Sequence, residues 1–205
     1  MNILAIGAHP DDIEIGCGGT LIKYSREGHQ VYLLVATYGE LGGEGLVRTE
    51  ELRRSAEIIE ATDLFTFDYP DTQLPLDKEL ISRIEEVIKV VSPEIIFVHY
   101  FDDTHQDHRT LSQATTSATR YIKNVLFYEV PTTQNFAPTV FIDIDDALEE
   151  KIACLEAHFS QVTKTNIEGL TIVDIARAAA HFRGIQSRVK NAEGFVPLRL
   201  FLTID

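Results

Sequence analysis

The sequence has little cysteine, little positive charge and no long hydrophobic run. Its two cysteines, Cys17 and Cys154, lie far apart and form no C-x-x-C pair, which argues against a disulfide framework or a structural zinc knuckle. The 18 basic residues against 32 acidic ones give a net charge of −14, which argues against binding to nucleic acid or to an anionic membrane. Because no apolar run approaches a membrane span and no basic leader precedes the first strand, we expect a cytoplasmic protein without membrane insertion.

What the sequence does have is an alternation of apolar runs and amphipathic segments. The apolar runs predict strands at 3–8, 30–37, 64–67, 94–99, 125–130, 139–144 and 198–202. Helical patterns lie between them, at 16–27, 48–61, 78–91, 110–122, 145–158 and 172–182. The chain has 205 residues and is 44% hydrophobic, so we expect a single domain over 1–205. The pattern predicts an α/β fold, a Rossmann-like, doubly wound, mainly parallel sheet in the strand order 3-2-1-4-5 with helices on both faces.

The first strand ends in a charged turn, His9-Pro10-Asp11-Asp12. His9 and Asp12 offer a nitrogen and an oxygen donor that one tight turn can direct at a single ion, which makes half of a metal site. Asp11 lies between them and cannot easily share that coordination direction, so it is free to handle a proton beside the ion. The alternative is an acidic turn that caps the next helix.

A second polar cluster follows the fourth strand and contains His105, Asp107 and His108. Strands one and four are neighbours where the strand order reverses, so the loops at their carboxyl ends line one crevice. Three ligands drawn from His9, Asp12 and one of the two later histidines would leave a fourth position for water, as in a catalytic zinc site. The other histidine, held in one tautomer by Asp107, would then donate to developing charge. Alternatively, both histidines are polar residues at a helix start.

A glycine-rich loop and an arginine follow the second strand. The loop 38–45 holds four glycines and could cover the site. Arg48 opens the next helix, where a cation opposes the helix dipole, so an anion nearby would explain its position. The alternative is a solvated surface arginine.

These motifs resemble those of the PIG-L or LmbE-like family, zinc-dependent de-N-acetylases of N-acetylglucosamine-containing small molecules. The resemblance rests on segments 8–20 and 103–109 and extends to Arg48, 69–71, 158–161, 183–186 and 192–195. The sequence departs from the family at Ile13, where many members carry Glu, and at Gln106, where Pro is commoner. Asp103 stands where some members have Tyr.

The resemblance implies a metal site and a general base. His9, Asp12 and His108 would bind one Zn²⁺ per chain, and another divalent metal such as iron is the alternative. Asp11 would accept the proton of the attacking water.

The resemblance also implies the remaining roles. His105 would be a charged electrophile or acid oriented by Asp107, and Arg48 would bind substrate. Either Asp11 or His105 could protonate the leaving amine. The implied reaction removes the acetyl group from the amide nitrogen of an N-acetylglucosamine-type sugar conjugate. The implied partners are that small molecule and, as is common in the family, further copies of the chain in a homo-oligomer.

Three other functions compete with this interpretation. A metal-dependent phosphohydrolase would need a second ion and more bridging carboxylates. A zinc- or ligand-binding α/β protein without turnover would carry the same residues. A dinucleotide-binding module is disfavoured, because its first glycine should lie in the turn that here holds His9 to Asp12.

Overall fold

The computed structural model describes residues 1–202. The strands are β1 Asn2–Gly7, β2 Gln30–Thr37, β3 Asp63–Tyr69, β4 Ile95–His99, β5 Asn124–Tyr128, β6 Val140–Asp143 and β7 Ala192–Arg199. The helices are α1 Asp12–Arg26, α2 Gly45–Ile59, α3 Lys78–Val91, α4 Gln106–Ala118, α5 Leu148–Ala157 and α6 Ile172–Ser187. None of these helices is both long enough and apolar enough to cross a bilayer.

All seven strands form one sheet in the order β3-β2-β1-β4-β5-β7-β6. The pairs among the first five strands are parallel, whereas β7 runs antiparallel to both β5 and β6. The predicted α/β class and the predicted order of the first five strands are therefore confirmed. The order reverses between β1 and β4, which is where open α/β sheets form a crevice at the carboxyl ends of their strands.

Two hydrophobic cores cover the two faces of the sheet. In β1, Ile3 and Ala5 belong to one core and Leu4 and Ile6 to the other, because successive strand residues point to opposite faces. Helices α1, α2, α5 and α6 pack on the first face, and α3 and α4 on the second. This burial on both sides explains why the strand reads as a continuous apolar run.

The last strand begins earlier than predicted. The sequence indicated a strand at 198–202, but β7 runs from Ala192 to Arg199 and pairs with β6 through its first four residues. Those residues include Glu193 and Gly194, which strand patterns seldom contain. Glu193 nevertheless faces inward and is only 4% exposed, because it accepts hydrogen bonds from the backbone N–H groups of Gly19 and Thr20 in α1.

Helix α4 also begins earlier than predicted, at Gln106 rather than Thr110. Asp107 and His108 therefore lie in its first turn and not in a loop. His105 is the N-cap, and its Nδ1 accepts a hydrogen bond from the N–H of Asp107 at 3.2 Å. Because N-caps are usually Ser, Thr, Asp or Asn, an imidazole at this position gives no sequence signal for the helix start.

Gly16 lets α1 pack directly on Tyr128 of β5. A Cβ at this position would lie 2.2 Å from Cδ2 of the tyrosine ring, which is fully buried and donates from its hydroxyl to the carbonyl of Ile6. Since that ring has no room to move, we expect Gly16→Ala to lower the free energy of unfolding by about 1–3 kcal/mol, measured by urea denaturation.

Gly18 provides the matched control in the same helix. A Cβ there would meet Cγ of Lys151 at 3.7 Å and Cβ of Glu14 at 3.8 Å, which are ordinary contacts. Gly18→Ala should therefore leave stability unchanged or raise it by about 0.5–1 kcal/mol through helix propensity. Equal effects of the two substitutions would contradict the proposed role of Tyr128.

Candidate active site

The two polar clusters meet at the carboxyl ends of β1 and β4. Asp12 begins α1 directly after β1, and His108 lies in the first turn of α4 after β4. Because β1 and β4 are neighbours in the sheet, both helix starts face the same crevice. The structure thus brings together residues almost a hundred positions apart.

Donor atoms of three residues converge in this crevice. Nδ1 of His9 lies 3.2 Å from Oδ2 of Asp12 and 3.3 Å from Nε2 of His108, and Nε2 of His108 lies 3.4 Å from the other carboxylate oxygen of Asp12, Oδ1. A tetrahedral zinc ion with bonds of about 2.0–2.1 Å separates its ligand atoms by about 3.3–3.4 Å. The three residues expected as ligands thus offer two nitrogens and both oxygens of one carboxylate at about this spacing.

Two carboxylates orient His9. Its Nε2 lies 3.0 Å from Oδ1 of Asp71 and 3.3 Å from Oδ2 of Asp107, which places the proton on Nε2 and leaves the lone pair of Nδ1 for a ligand bond. Burial opposes a charge on His9, but its hydrogen bonds to Asp107, Asp12 and Asp71 outweigh burial and raise its pKa well above the ordinary value. The negative charge of these carboxylates, which favours a proton on His9, would also favour a divalent cation beside it.

Asp103 orients His108 in the same way. Oδ1 of Asp103 and Oγ1 of Thr132 each lie 3.3 Å from Nδ1 of His108, which leaves Nε2 facing Asp12. Burial opposes a charge on His108, but the charge of Asp12 and the hydrogen bond to Asp103 raise its pKa to about 9. The sequence had marked Asp103 only as a departure from the family pattern and assigned it no role.

His99, the last residue of β4, is a second functional candidate that the sequence analysis missed. It is fully buried, and its ring stacks on His108 with centroids 4.0 Å apart. Its Nε2 lies 3.2 Å from Asp12 but accepts the N–H of Ala8 at 3.1 Å, so its lone pair is already used. Burial lowers its pKa to about 4, so it stays neutral and supports the ligands.

Asp11 occupies the strained position between the strand and α1. Its φ of 101° lies in the left-handed region, where a non-glycine residue costs on the order of 1–3 kcal/mol. Its side chain is three-quarters buried (25% exposed), and its carboxylate makes none of the contacts among His9, Asp12 and His108. Burial raises the pKa of Asp11 to about 6, against the opposing charge of Arg48. A base with a pKa near neutrality suits proton transfer.

Arg48 ties the glycine-rich loop to the turn that holds Asp11. Its Nη1 donates to the carbonyl of Gly39 at 2.7 Å and its Nη2 to that of Pro10 at 2.5 Å, while Nη2 lies 3.5 Å from Oδ2 of Asp11. Arg48 is 4% exposed, so the alternative of a solvated surface arginine is wrong. The nearby anion that the sequence led us to expect beside Arg48 is the carboxylate of Asp11. Its contact with substrate stays a prediction.

One expectation for His105 is wrong, and its role as a charged electrophile or acid stays a prediction. The carboxylate of Asp107 does not orient His105; it accepts the N–H groups of Thr72 at 2.7 Å and Leu74 at 3.2 Å and contacts His9. His105 is half-buried, and burial followed by the charges of His9 and His108 lowers its pKa. Since its Nδ1 accepts the Asp107 N–H, the proton of a neutral His105 ring lies on Nε2.

Two buried carboxylates hold the segment that follows α5. Glu14 accepts from Ser55 at 2.6 Å and contacts Nε2 of His158 at 3.0 Å, and all three side chains are at most 1% exposed. Glu51 accepts both the N–H and the hydroxyl of Ser160 at 2.8 Å. The bond from Glu14 to His158 is buried in the interior, so His158 has a structural role here.

The residues that follow this segment, Gln161, Lys164, Thr165 and Asn166, line a cavity of about 260 Å³ together with Asp11, Asp12 and His108. Its remaining walls are formed by Val130, Pro131, Thr132, Ile172 and Ile175. We call it the catalytic cavity.

Comparison with known proteins gives a family match. The family model described as PIG-L: GlcNAc-PI de-N-acetylase matches residues 4–119. An Escherichia coli protein named uncharacterized deacetylase YaiS is 38% identical over 77% of this chain and 90% of its own length. The diacetylchitobiose deacetylase of Thermococcus kodakarensis is 31% identical over 95% of this chain and 83% of its own.

Solved structures match the fold over the whole described chain. The conserved protein TT1542 of Thermus thermophilus superimposes with a TM-score of 0.89 at 26% identity, covering 100% of this chain and 97% of that one. The 4-carboxy-2-hydroxymuconate hydratase of Pseudomonas putida superimposes with a TM-score of 0.85 at 21% identity, covering 100% and 99%. The second match shows the fold alone, and it shows that this fold also supports a hydratase.

Proposed function

The chain belongs to the PIG-L, or GlcNAc-PI de-N-acetylase, family, and on this premise we propose that it is a zinc-dependent hydrolase of the acetamide group of an N-acetylglucosamine-type conjugate. The observation that carries the proposal is the spacing of 3.2–3.4 Å among the donor atoms of His9, Asp12 and His108, with Asp11 beside them. The names of the deacetylase relatives support the choice of reaction.

Each requirement of amide hydrolysis has a candidate residue. When bound, the ion supplies Lewis acidity for the amide carbonyl and lowers the pKa of water. The carboxylate of Asp11 makes none of the contacts among His9, Asp12 and His108, and it accepts the proton of the attacking water. The Nε2–H of neutral His105 donates a hydrogen bond to the oxygen that gains charge. Arg48 keeps Asp11 in place by binding the carbonyl of Pro10 next to it.

The leaving amine needs a proton, and a neutral His105 would be a poor donor of it. Asp11 holds a proton after it has accepted one from water, whereas His105 would have to give up its only N–H proton at Nε2. We therefore propose that Asp11 returns the proton to the amine and that His105 stays a hydrogen-bond donor.

An acetate-release assay tests the proposal. We expect the purified protein to release acetate and free amine in equal amounts from N-acetylglucosamine conjugates. Treatment with a chelator should abolish the release, and one Zn²⁺ per chain should restore it, because the donor set fits a single ion.

Other results would favour the competing functions. Release of phosphate with two ions per chain would indicate a phosphohydrolase. Hydration of an unsaturated tricarboxylate without acetate release would indicate the reaction of the Pseudomonas putida structure. One bound Zn²⁺ without any turnover would indicate a zinc-binding protein.

A further inference from the structure

The buried face of α2 carries a stripe of polar side chains. Arg48, Glu51 and Ser55 are 4%, 1% and 0% exposed. Their spacing of three and then four residues places them on one side of the helix. A helix that packs on a sheet ordinarily presents apolar residues on that side, so the packing of the core does not explain the stripe.

Each residue of the stripe binds a different segment of the chain. Arg48 binds the glycine-rich loop and the turn before α1. Ser55 donates from its hydroxyl to Glu14 in the first turn of α1 at 2.6 Å. Glu51 binds Ser160, which follows α5. Helix α2 thus joins three segments that lie next to one another around the catalytic cavity.

Glu51 holds a segment whose course depends on side-chain bonds. Residues 158–171 connect α5 to α6 without regular secondary structure, so their backbone groups need partners elsewhere. Oε1 of Glu51 accepts the backbone N–H of Ser160 and Oε2 accepts its hydroxyl, both at 2.8 Å. Both donors are neutral. Because a carboxylate buried against neutral donors costs more free energy than an apolar side chain, stability alone does not explain Glu51.

The bond from Glu51 continues through Ser160 into the wall of the catalytic cavity. Since the hydroxyl of Ser160 donates to Glu51, its oxygen is free to accept, and Nε2 of Gln161 donates to it at 2.7 Å. Nε2 of Gln161 also donates to the carbonyl of Gly42 at 3.3 Å, and the ammonium of Lys164 donates to the same carbonyl. Gln161 and Lys164 both line the catalytic cavity. Glu51 therefore fixes this part of the wall.

We propose that Glu51 is a positioning residue for substrate binding. It holds the cavity wall at 161–166 in a fixed place relative to Asp11, because Arg48, one helical turn earlier in α2, holds the turn of Asp11. This inference rests on the proposed deacetylase function and adds a determinant of substrate affinity to it. Since the bonds of Glu51 go to Ser160 and not to the metal ligands, its loss weakens substrate binding and spares the chemical step.

Two substitutions of Glu51 test the proposal. The probe is p-nitrophenyl N-acetyl-β-glucosaminide, and acetate release gives kcat and KM. We expect Glu51→Ala to raise KM by about tenfold, as for the loss of one hydrogen bond, with kcat and zinc content per chain unchanged. Glu51→Gln should restore KM, because its amide accepts the N–H of Ser160 through oxygen and donates to the hydroxyl oxygen through nitrogen.

Two further variants make the comparison specific. Glu50→Ala is the matched control, because Glu50 is the exposed neighbour in α2 and binds Arg54 at 3.3 Å. It should change neither kcat nor KM. Ser160→Ala keeps the backbone N–H and removes the hydroxyl, so we expect a smaller rise in KM. This variant carries the test where Glu51→Ala does not fold.

The contrary outcomes separate this inference from the proposed function. An unchanged KM in a folded Glu51→Ala protein, or in Ser160→Ala where the former does not fold, would overturn the positioning role and leave the deacetylase in place. A joint loss of zinc and kcat that Glu51→Gln does not restore would also overturn it. Absence of acetate release by the unaltered protein would instead overturn the proposed function, and the reaction that Glu51 serves with it.

Discussion

Asp11→Asn is expected to lower the kcat of acetate release by on the order of a hundredfold or more while the protein keeps its metal. The amide has the shape of the carboxylate but cannot accept the proton of water. Asn also tolerates positive φ, so the backbone at φ 101° need not change. The measurement is kcat together with metal content per chain, determined on the same preparation.

Asp102→Asn is the matched control for this substitution. Asp102 lies between β4 and α4, where its carboxylate accepts a hydrogen bond from the side chain of Asn135 at 2.9 Å and contacts none of His9, Asp12 and His108. Its replacement should leave kcat unchanged. Near-normal turnover in Asp11→Asn would refute the assignment of the base and leave the ligand set standing.

His108→Ala should remove the metal and, with it, the activity. His108 is one of three residues in the proposed ligand set, and its Nε2 lies 3.3 Å from Nδ1 of His9 and 3.4 Å from Oδ1 of Asp12. A site left with one imidazole and one carboxylate binds zinc too weakly to survive dialysis. We expect metal analysis to show a fall from about one zinc per chain to near zero, with acetate release at background.

His181→Ala controls for the loss of an imidazole elsewhere, because His181 is exposed on α6. Thermal unfolding of the metal-free proteins should be measured as well, since His108 also stacks on His99. Undiminished zinc in a folded His108→Ala protein would reassign the ligand set, with His99 as the next imidazole beside Asp12.

The fold was predictable where burial leaves a simple pattern. β1 and β2 are buried on both faces and read as apolar runs, which was enough to order the first five strands. The start of β7 was not predicted, because the buried Glu193 does not look like a strand residue in the sequence. Its hydrogen-bond partners lie in α1 and α5, far away along the chain. A strand whose inward residues are polar can be recognised only when the groups that neutralise them are known.

The candidate site was predictable to a similar extent. The local motifs show which residues can donate to a metal ion, and the predicted strand order makes β1 and β4 neighbours. His9, Asp12 and His108 could therefore be proposed together as ligands. Which carboxylate faces which imidazole depends on the tertiary packing of loops. The carboxylate of Asp107 therefore contacts His9 rather than His105, and Asp103 holds His108.

Arg48 joins the glycine-rich loop to the turn that holds Asp11. One guanidinium donates to the carbonyls of both Gly39 and Pro10, and a Cβ at residue 39 would lie 2.0 Å from its Nη1. Any side chain at residue 39 would therefore displace the guanidinium and remove a support of the turn that holds Asp11. The demand for glycine at residue 39 comes in this way from the position of a residue in another segment.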